Sequence, residues 1–271
     1  MPTDTDLDRR VESVDAHAHL DKYSDDELDS VLGHIEADHI LTISVSVDPP
    51  SFARARAIAG RCRLVVPTFG IHPWEAPHFV DVLDELEALC TTSQMIGEIG
   101  LDHTFVTDPK CRDAQRLVLA TLLDIAVEQR KVVHVHSTGA EAETAAMLWS
   151  RRIDRAVMHW YSGDLDTLMT LIDRGILFTV GAAVLHSAHV REIATRIPDD
   201  QLLTETDNPG GQHWLTGHRG QPRLLHHIES ELAELRGTNP ERLRSLVRSN
   251  LEQRVCDDPH VETWIDLLER R

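Results

Sequence analysis

VESVDAHAHLD (residues 11–21) is an apolar-leaning run that ends in two histidines at alternate positions. In a β-strand, residues i and i+2 point to the same face and lie about 6–7 Å apart along the chain. His17 and His19 can therefore contact one cation at the end of a strand. Taken alone, this pair is a weak signal, because the chain contains 17 histidines.

Short β-branched segments alternate with segments of helical periodicity along the whole chain. Strands are predicted at residues 11–17, 40–47, 64–70, 95–100, 131–136, 154–159, 176–180 and 201–206. Helices are predicted at residues 25–38, 50–60, 79–91, 111–130, 140–151, 164–174 and 189–196, with extra C-terminal helices at 221–236, 239–254 and 260–270. Eight strands, each followed by a helix, predict an α/β protein with a single (β/α)8 barrel, the TIM barrel.

Three short motifs predict where helices begin. Ser24 and Glu27 form a capping box, and Asp164 can cap the sixth helix. Asn239 followed by Pro240 is typical of the first positions of a helix.

Composition limits the class of protein. A length of 271 residues with 41 % hydrophobic residues and dispersed charge predicts one globular domain over residues 1–271. No run approaches the ~18 apolar residues of a membrane span, and the N-terminus shows no signal-peptide pattern. Four scattered cysteines without a CxxC motif favour a reducing, cytoplasmic setting.

The net charge of −18 argues against extended duplex binding, but not against a nucleic acid held at one point by metal ions.

Histidines and carboxylates recur at the C-terminal ends of the predicted strands, where barrels of this kind carry their chemistry. The predicted metal ligands are His17, His19, Glu98, His136, His159 and Asp207. Nitrogen and oxygen ligands suit Zn²⁺, Mn²⁺ or another first-row dication, and Mg²⁺ where water completes its shell.

Glu98 lies between the histidines of the first strand and those of the fifth and sixth, so its carboxylate can bridge two cations. We assign one ion to His17, His19, Glu98 and Asp207 and the other to Glu98, His136 and His159. Two such ions would clamp the attacking and leaving oxygens of a phosphodiester and acidify the attacking water. Asp207 could take the proton from that water, so Glu98 and Asp207 are the predicted catalytic residues.

Structural roles compete with each of these assignments. Asp207 could cap the following turn, His159 could be a packed core histidine, and His72 could be a hydrogen-bonded turn residue. His134 is expected in the core or behind the ligands, and Glu205 in a supporting role.

Seven motifs occur in one order along nearly the whole chain: DAHAHLD (15–21), GIHPW (70–74), IGEIGLD (96–102), VVHVHS (132–137), HWYSG (159–163), LLTETDNP (202–209) and RGQP (219–222). In these motifs the chain resembles the TatD-family metal-dependent DNases. The resemblance implies a barrel of the metallo-dependent hydrolase type and two divalent metal ions (Mg²⁺, Mn²⁺ or Zn²⁺) held by the six ligands. It also implies hydrolysis of phosphodiesters, typically 3′→5′ on single-stranded DNA ends, and a phosphate contact by His72. A monomer is the expected state.

The chain departs from the family pattern around the substrate. Thr138 stands where the family usually has an arginine, His103 where an aromatic residue is common, and Trp160 where a smaller residue is usual. Tyr161, Trp160 and Trp74 could stack on bases or pack in the mouth of the barrel, and Trp214 could contact substrate. The predicted substrate-binding residues are His72, His103 and Tyr161.

Two other functions stay open. One is a hydrolase of the same fold acting on a carboxylic ester, an amide or an aminoacyl-tRNA ester, suggested by Thr138 and the acidic charge. The other is a metal-stabilised, non-catalytic subunit of a larger assembly. A carboxylated lysine bridging two metals is not expected, because the fourth strand presents Glu98, and Lys131 lies at the opposite end of its strand.

Overall fold

The structure is a computed structural model that describes residues 11–255. The helix predicted at 260–270 lies outside the described residues. For the same reason, the single domain over residues 1–271 stays a prediction.

Eight strands and ten α-helices alternate through the described residues. The strands are β1 (Ser13–Ala18), β2 (Ile40–Val45), β3 (Val65–Thr68), β4 (Ile96–Gly100), β5 (Val133–His136), β6 (Ala156–Met158), β7 (Leu177–Val180) and β8 (Leu202–Thr204). The helices are α1 (Asp25–Ala37), α2 (Pro49–Ala59), α3 (Leu83–Thr92), α4 (Pro109–Gln129), α5 (Glu141–Ser150), α6 (Leu165–Ile172), α7 (Ala188–Arg196), α8 (Gly210–Thr216), α9 (Leu224–Leu235) and α10 (Pro240–Val255).

The predicted elements agree with these bounds to within three residues, except in two places. The helix predicted from residue 79 begins at Leu83, because Ala76–His78 forms a 3-10 turn and Phe79 packs partly buried against the core. The short helix α8 was not predicted; it begins beside two adjacent glycines, which are poor helix formers.

All strand pairs are parallel and follow chain order. One ladder joins β1, β2 and β3, a second joins β4 to β8, and a bridge between Phe69 and Ile96 connects the two. On the other side, Thr204 Oγ1 donates to the Val14 carbonyl at 2.7 Å, and the Asp207 amide donates to the His17 carbonyl at 2.9 Å. These contacts bring the first and last strands together, as in a TIM barrel.

The predicted helix starts are present. The Ser24–Glu27 capping box is formed at α1. Asp164 accepts from the Thr167 amide at 2.8 Å, and Asn239 accepts from the Arg242 amide at 2.9 Å. These side chains satisfy amides that a helix leaves unpaired at its N-terminus.

Lys131 is buried just before β5, at the end of that strand opposite to His136. Its Nζ donates to the carbonyls of Ser93 and Cys90 at the C-terminal end of α3. A cation there is favoured by the helix dipole, which gives this lysine a structural role.

Cys62, Cys90 and Cys111 are free thiols. Among residues 11–255, none of the helices combines the length and the apolar character needed to cross a membrane.

Candidate metal centre

The carboxylate of Glu98, from β4, is buried and faces five imidazole rings at the C-terminal end of the strands. Its Oε2 atom lies 3.3 Å from Nε2 of His19 and 3.5 Å from Nε2 of His17. Its Oε1 atom lies close to a ring nitrogen of each remaining histidine: His136 (3.0 Å), His159 (3.3 Å) and His72 (3.5 Å). The two oxygens thus divide the histidines into two sets.

Asp207 stands at the rim of this cluster. Its Oδ1 atom lies 3.3 Å from Nε2 of His19 and 3.9 Å from Nε2 of His17, and its side chain is one-fifth exposed. The backbone of Asp207 is left-handed (φ 52°), and its carbonyl accepts from the Gly211 amide. The Asp207 amide also donates to the His17 carbonyl. These two hydrogen bonds hold the uncommon conformation, in which the carboxylate faces the histidines of the first strand.

Glu205 holds His159 in place. The Nδ1–H of His159 donates to Glu205 Oε2 at 3.0 Å, which leaves Nε2 facing Glu98. Glu205 also accepts from Thr179 Oγ1 at 2.6 Å and from the Trp160 amide at 3.0 Å. A carboxylate behind a histidine fixes the tautomer and orientation of a metal-ligating ring.

Asp102 has no predicted role, yet it supports the other side of the centre. Its Oδ2 atom lies 3.4 Å from Nε2 of His136 and accepts from Trp74 Nε1 at 2.6 Å. Its Oδ1 atom accepts from the amides of Thr104 and Phe105. The sequence signal was its position two residues after β4, within the IGEIGLD motif.

Opposite charges stabilise each other in this centre. Burial disfavours the charge on Glu98, but the neighbouring histidines, among them the protonated His159, outweigh burial and hold the pKa of Glu98 well below the usual range. Burial also acts on His19, yet the carboxylates of Asp207 and Glu98 raise its pKa to about 10. Burial lowers the pKa of His72 to about 3. The negative charge of the ionised carboxylates is therefore offset by the protonated His19 ring. A divalent cation could supply this positive charge instead, once His19 has lost its proton.

The donor atoms are spaced like metal ligands. Two ligands, each about 2.1 Å from a tetrahedral zinc ion, lie about 3.4 Å from each other. The Nε2 atoms of His17, His19 and His159 lie 3.3–3.5 Å from a Glu98 oxygen. Both ring nitrogens of His17 are fully buried and make no hydrogen bond within the described residues. The set fits divalent cations that accept nitrogen and oxygen ligands.

Three groups of side chains place their donor atoms within 4.8 Å of one another: His17–Glu98–His159, His17–His19–Asp207 and His72–Glu98–His136. The structure thus brings together all six predicted metal ligands. His72, to which the resemblance assigns a phosphate contact, lies within the third group. His134 is fully buried 6.1 Å from the His17 ring, behind the ligands as expected.

The other predicted substrate contacts lie elsewhere. His103 is partly buried, 3.9 Å from Glu143, and its amide donates to the Thr138 carbonyl. Tyr161 is 3 % exposed, packs against Phe178 and donates its hydroxyl to the Asp164 carbonyl. Tyr161 follows the left-handed residue Trp160 (φ 42°) and lies in the core, so its contact with substrate stays a prediction.

A barrel of parallel strands whose C-terminal ends gather histidines around a buried carboxylate defines a TIM-barrel metal-dependent hydrolase. The sequence model of the family described as TatD related DNase matches residues 14–255, and the chain belongs to this TatD family. The predicted fold and the resemblance are thereby confirmed.

The relatives agree with this assignment. The chain is 28 % identical over 253 residues to the uncharacterized metal-dependent hydrolase YcfH of Escherichia coli K12, covering 88 % of this chain and 93 % of YcfH. It is 29 % identical over 196 residues to the 3′-5′ ssDNA/RNA exonuclease TatD of Pantoea vagans, covering 68 % and 75 % of the two chains. The crystal structure of YjjV, a TatD homolog from Escherichia coli K12, shares the fold with a TM-score of 0.75 at 24 % identity, covering 89 % of this chain and 96 % of YjjV.

Metal binding is expected to release protons and to tighten as the pH rises. His19 has a pKa raised to about 10, so its ring is charged at neutral pH and must lose its proton to ligate a cation. The pKa values of His159 and His136 are raised as well, so at least one proton is released, and the apparent affinity should rise at least about tenfold per pH unit between about pH 6 and pH 8. Calorimetric titration with Mn²⁺ in buffers of different ionisation enthalpy measures both quantities. The exposed His78 offers a control, His78→Gln, that should leave both unchanged. An affinity independent of pH would contradict this prediction.

Proposed function

We propose that the chain is a deoxyribonuclease that cleaves phosphodiester bonds at the 3′ end of single-stranded DNA and uses two divalent cations. The observation that carries the proposal is the division of ligands by Glu98. One of its oxygens faces His17 and His19, and the other faces His136 and His159. A bridging carboxylate between two cations needs this arrangement.

Cations bound there would lower the pKa of a water molecule and neutralise charge on the phosphate. Asp207 is the group suited to accept the proton of the attacking water. Burial disfavours its charge, but His19 outweighs this effect and lowers the pKa of Asp207, so the carboxylate is ionised at neutral pH. Its partial exposure also leaves it open to the mouth of the barrel.

His72 is suited to hold a phosphate oxygen. With its pKa lowered to about 3 by burial, the ring is neutral and carries one proton. The Trp74 amide lies 3.2 Å from His72 Nδ1 and donates to it, which puts the ring proton on Nε2, facing Glu98. Nε2–H is then a hydrogen-bond donor rather than a metal ligand.

The charge around the mouth favours a strand held at its end. Arg112 is committed to the carbonyls of Val106 and His103, and Arg116 pairs with Glu143. Together with the net charge of −18, these contacts disfavour binding along a duplex. A cytoplasmic location and a monomeric state remain predictions.

A digestion assay tests the proposal. A 5′-labelled single-stranded oligodeoxynucleotide should shorten stepwise from its 3′ end when Mg²⁺, Mn²⁺ or Zn²⁺ is added. Hydrolysis should stop in excess chelator, because the ligand set is then without its cations. Asp207→Asn, purified in parallel, controls for contaminating nucleases. Cleavage that persists in chelator, or an equal rate on a strand with a blocked 3′ end, would contradict the proposal.

Hydrolysis of a carboxylic or aminoacyl ester is the second candidate. The observation that favours it is Thr138, which supplies no charge for a phosphate. Turnover of such esters by a preparation inert toward DNA and RNA would establish this candidate instead.

A further inference from the structure

Three aromatic side chains near the centre are exposed and contact one another. Trp74 follows β3, Phe105 follows β4 and Trp214 lies in α8, with exposed fractions of 54 %, 51 % and 73 %. The Trp74 and Phe105 rings lie 6.0 Å apart, and the Phe105 and Trp214 rings 5.4 Å apart, both edge to face. We call these three residues the aromatic platform. Within residues 11–255 they are the only aromatic side chains among the exposed large hydrophobic residues.

The aromatic platform is continuous with the metal centre. The Trp74 ring lies 5.0 Å from the His72 ring, which lies 4.8 Å from the His136 ring. Asp102 ties the two parts together, because it accepts from Trp74 Nε1 and from the Phe105 amide and contacts His136. A ligand bound at the centre therefore has these rings as its next neighbours.

Contiguous aromatic surface exposed to water is unfavourable unless something covers it. The rings offer faces and edges to a flat partner, as in edge-to-face and stacked aromatic pairs. Of the nearby cations, Arg112 donates to the carbonyls of Val106 and His103, and Arg116 is paired with Glu143. Stacking, rather than contacts with several phosphates, is the interaction that this surface can supply.

We infer that the aromatic platform binds unpaired nucleobases of the strand next to the phosphate held at the metal centre. This inference rests on the proposed function, since the strand is placed by its scissile phosphate. Bases in a duplex are stacked and paired, so the surface selects single strands or frayed ends. Because every base has a flat face, selection by sequence should be weak, and the salt dependence of binding should be shallow.

Phe105→Leu and Trp214→Leu test the inference, because leucine keeps an apolar side chain and removes the ring. Trp74 is left intact, since it also holds Asp102. The matched control is Leu117→Ala, an exposed apolar residue of α4. Fluorescence anisotropy measures affinity with Mn²⁺ present and with a labelled thymidine oligomer whose phosphorothioate linkages resist cleavage. Each platform variant should bind roughly tenfold to a hundredfold more weakly, while the control binds like the wild type.

Kinetics with metal give a second readout. The platform variants should raise KM for the same oligomer and leave kcat nearly unchanged, and abasic nucleotides at the 3′ end should have the same effect on the wild type. A ribo-oligomer tested beside the deoxy-oligomer shows which sugar accompanies the base.

Platform-dependent binding without cleavage would support the inference and refute the proposed hydrolysis. Cleavage with unchanged affinity and KM in both variants, or duplex bound as tightly as single strands, would overturn the inference.

Discussion

Glu98→Gln is expected to lose bound metal and to reduce hydrolysis to about a thousandth of the wild-type rate or less. The reason is the position of this carboxylate, whose two oxygens lie 3.0–3.5 Å from five histidine rings. A neutral amide supplies one oxygen in place of two and cannot balance two cations. Metal content by elemental analysis and the rate on single-stranded DNA measure the effect, with circular dichroism showing that the fold is kept.

Two further variants make this result specific. Glu87→Gln removes an exposed carboxylate of α3 and should leave metal content and rate unchanged. Asp207→Asn should also abolish hydrolysis but keep part of the metal, because Asp207 contacts only the His17 and His19 side of the cluster. A Glu98→Gln protein with full metal content and full activity would refute the proposed centre.

Gly100→Ala is expected to destabilise the protein by about 4 kcal/mol, combining backbone strain with overpacking. Gly100 has φ 152°, and a Cβ atom there would lie 1.9 Å from the His136 carbonyl oxygen. That oxygen also accepts from the Leu101 amide, so β4 and β5 cannot separate without losing a hydrogen bond. For a chain of this size the melting temperature should fall by about 8–16 °C. Metal affinity should fall as well, because His136 is displaced.

The matched control is Gly33→Ala in the middle of α1. A Cβ atom at Gly33 meets nothing within 4 Å, so the substitution should be neutral or stabilise by up to about 1 kcal/mol. Thermal unfolding of both variants, with and without Mn²⁺, separates the two cases. Equal melting temperatures for Gly100→Ala and the wild type would refute the packing argument.

Periodicity predicted most of the fold, because the chain alternates strands and helices with few interruptions. The six predicted ligands all lie within three residues of the C-terminal end of a strand, where position in the sequence determines position in the barrel. Their meeting around Glu98 follows from parallel strands that share one C-terminal edge.

Residues in the connecting loops were harder to predict. Tyr161 is predicted to meet substrate, and the structure places it in the core, after the left-handed residue Trp160. The sequence assigns no role to Asp102, because its contacts depend on Trp74, in the loop after β3, and on His136, at the end of β5. Side-chain direction in a loop has no period, so a sequence pattern cannot supply it.

The hydrogen bonds that join β1 to the region of β8 have a consequence for biosynthesis. Asp15 and Thr206, which are 191 positions apart, are hydrogen-bonded there, next to His17 and Asp207. At about 5–20 residues per second, a ribosome needs roughly 10–40 s to make the intervening segment. Until then the nascent chain lacks Asp207 and Glu205, and β1 is an uncovered edge strand. Assembly of the full ligand set is therefore a late event in the synthesis of this protein.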